Sequence, residues 1–557
     1  MLMKGTLPFL LFVLLAPQLA HAADNETKLL GSAVINADLQ WEISLPDRLP
    51  NEVTFQSYAF AEEPYQHVES FSCELCKQDK DALANNLIKF TFQPVSTTEL
   101  LNEKVQVSVD YQKGFREAVP GEESKFLSET KYVKLSDEIR TKAASIAGDG
   151  NDFDKIVRLA EWVHNAVTYE GLGYRDVILD STQVYAVRAG KCSEFSHLFI
   201  AMARAVGIPA KFVAGFVYSG KEWGQHAWAE ALADGKWIPV DPTFNEAGFL
   251  NAGHIKFAED VDQENVKQQI SAKGMAGEFP ADAIKPKYSI DFASQSQYAQ
   301  KISLFLSVPN ETVGEGSLET IVATVKNLDG ELATPLSINM PKDVKIASDE
   351  DRLLHLKPGE EASAEWKVVF PATLESGSIY NYTVEVLGLG KKATAYITAK
   401  KGGKATLEQS LEIKDLHSTQ SDDSVTVFIT IRNTGSLAFP SVVLSTTIAA
   451  AEQHRSFSIQ PGEQKEFQLV FDKPAAPAAE GAIKITAAGK ELEQPFVINL
   501  LQQQPSARPA FLSLSFGDQK VDVTMEEALA GGLAAVFLIA LIAIIFRKPK
   551  KQYAETA

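Results

Sequence analysis

The chain has 557 residues, with 72 acidic side chains against 53 basic ones and a formal net charge of −19. That length exceeds what one hydrophobic core supports and predicts about three to five domains. Ordinary apolar content argues against long disorder, and an acidic balance without clustered Lys and Arg argues against nucleic acid as a partner.

At the N-terminus, Lys4, the apolar run from Leu7 to Ala16 and Ala20-His21-Ala22 read as a secretory signal over residues 1–22. Residues 24–126 are then β-rich. Ser32-Ala33-Val34-Ile35 has strand composition, and the segments Leu87 to Phe92 and Val105 to Tyr111 also alternate apolar with polar side chains. Pro46-Asp47 and Pro120-Gly121 supply turns, so a small β-sandwich is expected. Cys73 and Cys76 form a C-x-x-C pair that reads, outside a cell, as a local disulfide staple, with a redox role as the alternative. Cys192 is left over. With no second C-x-x-C and no nearby histidines, neither a metal ion nor another cofactor is expected.

The texture changes near Leu135, where a central domain over residues 135–290 begins. Ser136-Asp137-Glu138 opens a helix up to Ala147, and Ile156, Leu159, Ala160, Val163 and Val167 place a second between Asp152 and Val167. Gly171 to Asp180 reads as a loop, after which Ser181 or Thr182 caps a short helix ending near Gly190. The next helix starts at Cys192. Phe195, Phe199, Met202, Ala203 and Val206 share its stripe, and Gly207-Ile208-Pro209 stops it. The thiol therefore faces inward at the positive end of a helix dipole, where a thiolate is favoured.

His226 to Leu232 and Lys236 to Val240 are short strands joined by Asp234-Gly235, a hairpin turn signal. With a two-residue turn, Asp241 becomes a diagonal neighbour of His226 on one face, whereas one residue more or less would separate them. Singly, Cys192 reads as well as a packed core residue. A thiol, an imidazole and a carboxylate together are what a cysteine nucleophile needs: Cys192 to attack, His226 to take the proton, Asp241 to orient and charge-stabilise the imidazole. The Cys192 backbone N–H is the natural oxyanion donor, with Gln183 and Tyr174 as candidates for a second. Trp228 and Trp237 either wall the cleft or pack the core.

The motifs Arg188-Ala189-Gly190-Lys191-Cys192, the segment from Ala203 to Ala210, His226-Ala227-Trp228-Ala229-Glu230 and Trp237 to Thr243 resemble the core of the transglutaminase-like superfamily. The resemblance implies a papain-like α+β fold in which Cys192 attacks an amide carbonyl, His226 serves as general base and then acid, and Asp241 orients it. Ser193 stands where animal transglutaminases carry a tryptophan, which places the chain nearer the microbial branch.

Asn251 to Lys287 reads as mixed helix and loop. An internal repeat follows: Thr324 to Asn327, Leu356-Lys357-Pro358-Gly359-Glu360 and Trp366 to Phe370 recur about 105 residues later as Thr430 to Asn433, Ile459-Gln460-Pro461-Gly462-Glu463 and Phe467 to Phe471. Two Ig-like β-sandwiches are expected, over 300–400 and 401–505, as spacers. Asn25, Asn310 and Asn381 open glycosylation sequons. After a linker from Leu501 to Phe516, residues 528–546 are uncharged, about 28 Å as a helix, and precede Arg547, Lys548, Lys550 and Lys551. That pattern predicts a single transmembrane helix with residues 547–557 as a cytoplasmic tail and the body outside the cell. The expected protein is thus a membrane-anchored thiol acyl-transfer enzyme acting on protein or peptide amides. The alternative is a non-catalytic surface adhesion or envelope scaffold protein with a degenerate core.

Overall fold

The structure, a computed structural model, describes residues 30–169, 178–275, 279–280, 282–298, 301–328, 330–421, 423–476 and 478–500, with the backbone of short strands at 3–5, 512–516 and 519–523. The expected transmembrane helix at 528–546 and the tail after it lie outside these residues, as does most of the expected signal segment. Among the described residues no helix is long and apolar enough to cross a membrane.

Strict alternation of buried and half-exposed residues makes Leu30–Ser44 one long strand. It pairs antiparallel with Thr98–Val109 on one side and with Ile284–Gln297 on the other. The facing sheet is built from Gln269–Lys273, Glu52–Tyr58, Asn86–Phe92 and Cys76–Lys80, with Met3–Gly5 at its outer edge. Between the sheets Trp41 meets Phe55 at 5.5 Å and Phe90 at 6.0 Å. Burying each such ring is worth roughly 2–3 kcal/mol, which holds the sandwich closed. Cys73 and Cys76 are bonded to each other where the chain crosses between the sheets.

The boundaries expected at 126 and 290 do not divide the structure. Gln269–Lys273 and Ile284–Gln297 return from beyond the core to complete the N-terminal sandwich, because the edges of Glu52–Tyr58 and Leu30–Ser44 need partners that the first 126 residues lack. Nor is Asn251 to Lys287 helix and loop. It contains Gln269–Lys273, the start of Ile284–Gln297, and His254–Asp260, all seven of whose residues are buried. Four of the seven, His254, Lys256, Glu259 and Asp260, are polar or charged. Ile255 and Phe257 alternate with His254 and Lys256 as in a strand, but burial of the polar face as well has no local signal.

The core places four helices on a five-stranded antiparallel sheet. α1 is Asp137–Ala147, capped by Ser136, and α2 is Asp152–Ala166, capped by Asn151 and Asp154 in a reciprocal box. α3 is Ser181–Val187; its cap is Asp180, not Ser181 or Thr182, because Asp180 accepts from the Thr182 and Gln183 amides. α4, Cys192–Ala205, is buried from Cys192 to Arg204, not along one stripe. It packs on Trp223–Ala233 and on α1 and α2, so it has no solvent face. Its polar residues are paired accordingly: Arg204 donates to the Ala210, Ser128 and Val261 carbonyls, and Ser196 to the Cys192 carbonyl.

A buried ionic cluster joins core to sandwich. Lys256 reaches Glu230 at 2.8 Å and Glu259 at 2.5 Å and also bonds Glu63, while Lys211 reaches Glu230 at 2.9 Å and Glu259 at 2.6 Å. Tyr65 of the N-terminal unit donates to Glu230 at 3.0 Å. Removing one member would strand its partners without water, a loss of about 3–5 kcal/mol.

Two further β-sandwiches follow, each with a core shared by two sheets. In the first, Ile321, Trp366 and Val368 face Leu336, Val384 and Ile397; in the second, Val427, Ile429 and Leu469 face Leu444, Ile483 and Ile485. The sequence repeat has a physical meaning. Asn327 is fully buried and donates to the Leu356 carbonyl, and Asn433 is fully buried and donates to the Ile459 carbonyl at the matching place. Both modules touch the core instead of extending as free spacers. His355 meets Asp154 at 2.6 Å, and Lys142 of α1 meets Asp415 at 3.1 Å. Leu512–Phe516, expected to be linker, pairs with Gln519–Val523.

Candidate active site

The turn at Asp234-Gly235 has positive φ at both residues, 48° and 75°, as a two-residue hairpin requires. It sets the register Ala233↔Lys236 through Ala229↔Val240. That register brings His226 and Asp241 onto one face as expected, and His226 Nε2 lies 2.6 Å from Asp241 Oδ2. Cys192 is near enough to His226 to add to the forces that hold a proton on the imidazole. The structure thus brings His226 and Asp241 into direct contact, with Cys192 as a neighbour at the head of α4. They are 4%, 5% and 0% exposed for Cys192, His226 and Asp241.

The approach to Cys192 is built by a residue that sequence reasoning missed. Glu194 folds back so that its carboxylate accepts from the Lys191 amide at 3.0 Å and from the Leu179 amide at 3.2 Å. Gly190 makes room for this: a Cβ there would stand 2.4 Å from that of Glu194. The Gly before Lys191-Cys192 and the Glu two residues after it were the available signal. The sheet has a similar close approach at Gly215, where a Cβ would meet the Trp228 ring at 2.6 Å, and Trp228 stacks near His226 at 6.0 Å.

Asp241 is unusually well supplied with donors. Its Oδ1 accepts from the Thr243 amide at 2.8 Å and the Phe244 amide at 3.2 Å. Its Oδ2 accepts from His226 and also meets His254 Nε2 at 3.0 Å. Burial would raise this carboxyl, but the two imidazoles outweigh burial and hold it well below the usual carboxylate range. Burial would lower His226 in turn. The Asp241 charge and hydrogen bond, with Cys192 adding to them, push it up to about 10 instead. The carboxylate, in other words, favours the imidazolium form of His226.

Of the residues considered for a second oxyanion donor, Gln183 is an exposed residue of the α3 cap, where its Oε1 accepts from the Asp180 amide at 2.9 Å and its Nε2 donors are not engaged by any described residue. Tyr174 lies outside the described residues. Tyr169, not foreseen, is drawn in by a two-residue parallel pairing of Thr168–Tyr169 with Ala189–Gly190. Its phenol is raised first by burial and then by the neighbouring Cys192. Trp237 is remote, donating to Glu122 at 2.7 Å beneath Lys211, so it packs the core and walls no cleft. Among the described residues two groups gather ligand-type atoms within 4.8 Å: His226, Asp241 and His254, and Glu63, Glu230 and Glu259. The second already holds the Lys256 ammonium.

Residues 140–242 match the family model of the transglutaminase-like superfamily. This segment is a transglutaminase-like core. The chain around it is similar to an uncharacterised protein of Haemophilus influenzae, 24% identical over 214 residues that cover 34% of this chain and 53% of that one. It is also similar to the uncharacterised protein ML0607 of Mycobacterium leprae, 27% identical over 21% of this chain and 44% of the relative. The chain thus spans about half the length of these two relatives. Among solved structures, a Cytophaga hutchinsonii protein described as a candidate cysteine protease aligns at 20% identity with a TM-score of 0.37, covering 48% of this chain and 93% of its own. Red sea bream transglutaminase aligns at 9% identity with a TM-score of 0.17, over 86% of this chain and 96% of its own.

Proposed function

We propose that the protein is a thiol acyl-transfer enzyme acting on protein or peptide amides. The observation that carries this reading is the 2.6 Å contact between the His226 imidazole and the Asp241 carboxylate, with Cys192 beside them at the start of α4. The Cys192 sulfur adds to the amide carbonyl carbon, and the carbonyl oxygen becomes an oxyanion facing the Cys192 N–H at the start of α4. Collapse expels the amine, which takes its proton from His226, and leaves a thioester. Water or a second amine then attacks the thioester, His226 accepts its proton, and the thiol is restored. Tyr169 is the second oxyanion donor in this reading. Water is the default acceptor outside a cell, which favours hydrolysis.

The apolar runs at 7–16 and 528–546 support placing this chemistry outside a cell on a single-pass, type I membrane anchor, with the sandwiches as Ig-like modules. One observation favours a second reading, a non-catalytic surface scaffold: Cys192 and His226 are almost fully covered.

The test compares wild type with Cys192→Ala on glutamine-containing peptides, with and without a primary amine. Turnover is expected only in wild type, and amine incorporation would separate transferase from hydrolase. Equal turnover in both proteins would remove the enzyme and leave the scaffold.

A further inference from the structure

Between the core and the first of the two later sandwiches lies a cleft of about 440 Å³. Its lining is polar and apolar in about equal parts, its volume is within the size range of small-ligand sites, and Cys192 does not line it. One of its lining residues is Asn245, which is 2% exposed and sits at a left-handed φ of 56°. Neither Asn245 Nδ2 nor Oδ1 has a hydrogen-bond partner. An unpaired buried polar group costs about 1–3 kcal/mol, so an amide left wholly unpaired at the wall of a cavity is waiting for one. What satisfies it must offer an acceptor and a donor side by side. A peptide amide does so.

The charges across the cleft say how such a ligand would be oriented. Lys391 and Lys392 stand on one wall, from the strand Lys391–Lys400, and Lys392 is shared with Glu385 at 3.0 Å. On the core wall the Glu246 carboxyl accepts from the Asn251 amide at 3.1 Å. Burial pushes this carboxyl up to about 7, with His254 opposing the rise and Asp241 adding to it. A short peptide with a free carboxyl end meets this pattern, its anionic end toward the lysines and its backbone along the core wall.

We propose that this cleft binds the carboxyl end of a short peptide, with an amide unit on Asn245 and the terminal carboxylate on the wall formed by Lys391 and Lys392. The site is distinct from the thiol, yet it adjoins the machinery. Phe244, another lining residue, packs 5.3 Å from the His226 ring, and the lining residue His254 bonds Asp241. Occupancy does not require Cys192 to react, so this proposal and the acyl-transfer reading stand or fall separately.

The experiment titrates triglycine, and triglycine blocked as its C-terminal amide, into the full chain carrying Cys192→Ala, by calorimetry. That variant cannot form a thioester. One triglycine per chain should bind in the millimolar range or tighter, and the amide at least about tenfold more weakly. Asn245→Gly, which keeps the left-handed backbone available, and Lys391→Glu, on the rim, should each weaken triglycine about tenfold or more. No binding at about 10 mM would mean that the cleft holds water only, and overturns the proposal. Undiminished binding by folded Lys391→Glu, or equal binding of the free and amidated peptides, overturns it as well.

Discussion

His254 Nε2 stands 3.0 Å from Asp241 Oδ2, the same oxygen that meets His226 Nε2 at 2.6 Å. Its other nitrogen meets the Asn251 carbonyl at 2.9 Å, so the ring is fixed at both ends. His254 is thus a positioning residue: it holds the carboxylate that holds the imidazole. His254→Phe should lower kcat/KM by about tenfold to hundredfold, the worth of one buried charge-assisted hydrogen bond. The alkylation profile of Cys192 with iodoacetamide should move with it, and His254→Gln should restore part of the loss. An unchanged pH profile in His254→Phe would reduce the residue to packing.

The His226–Asp241 pair sets a pH window for stability. His226 is raised from 6.5 to about 10, so its contribution is complete below 6.5 and is lost as pH rises through about 10. Asp241 is depressed, so its contribution is present above 3.8 and is lost as pH falls. The Tm difference between wild type and His226→Gln should therefore be largest between about pH 4 and 6.5 and shrink toward pH 10. A difference that grew with pH would contradict the pairing.

Tyr169 and Gln183 make opposite predictions for the oxyanion. Tyr169→Phe should cost about hundredfold in kcat with little change in KM, as loss of one such donor does. Gln183→Ala removes one arm of the α3 cap instead. It should lower stability by about 1 kcal/mol and leave kcat near wild type. Steady-state kinetics and a denaturant titration of the two variants separate these outcomes.

Glu103 is fully buried in the N-terminal sandwich with neither carboxyl oxygen paired, and burial raises it to about 8. A raised carboxyl favours the fold below about pH 4.5 and loses that advantage as pH climbs toward 8. Glu103→Gln or Glu103→Leu should raise Tm at pH 8 and change it little at pH 5. Thermal denaturation at the two values decides the matter.

The sequence carried the site where local rules set it. Asp234-Gly235 left one register for the hairpin, and that register alone put Asp241 beside His226. Gly207 closed α4, and Cys192 opened it. The unforeseen parts depend on partners distant in the chain or on charges hidden from water. His254 lies on a strand where Ile255 and Phe257 alternate with polar residues, and nothing local shows that the polar face is buried too and held by salt bridges. Ser181 looked like a cap because cap residues are interchangeable in type; Asp180, one position earlier, was the one whose carboxylate reached two amides. The pairing of Leu30–Ser44 with Ile284–Gln297 spans some 250 residues, beyond any local pattern.

That last pairing governs how the chain is born. While a ribosome is still making the core, the N-terminal sandwich lacks one strand in each sheet, and it must wait for residues near 297 to emerge before closing. Until then its open edges, Leu30–Ser44 above all, are exposed to other nascent copies. A premature stop anywhere between 135 and 268 would therefore leave an unfinished β unit as well as a broken core.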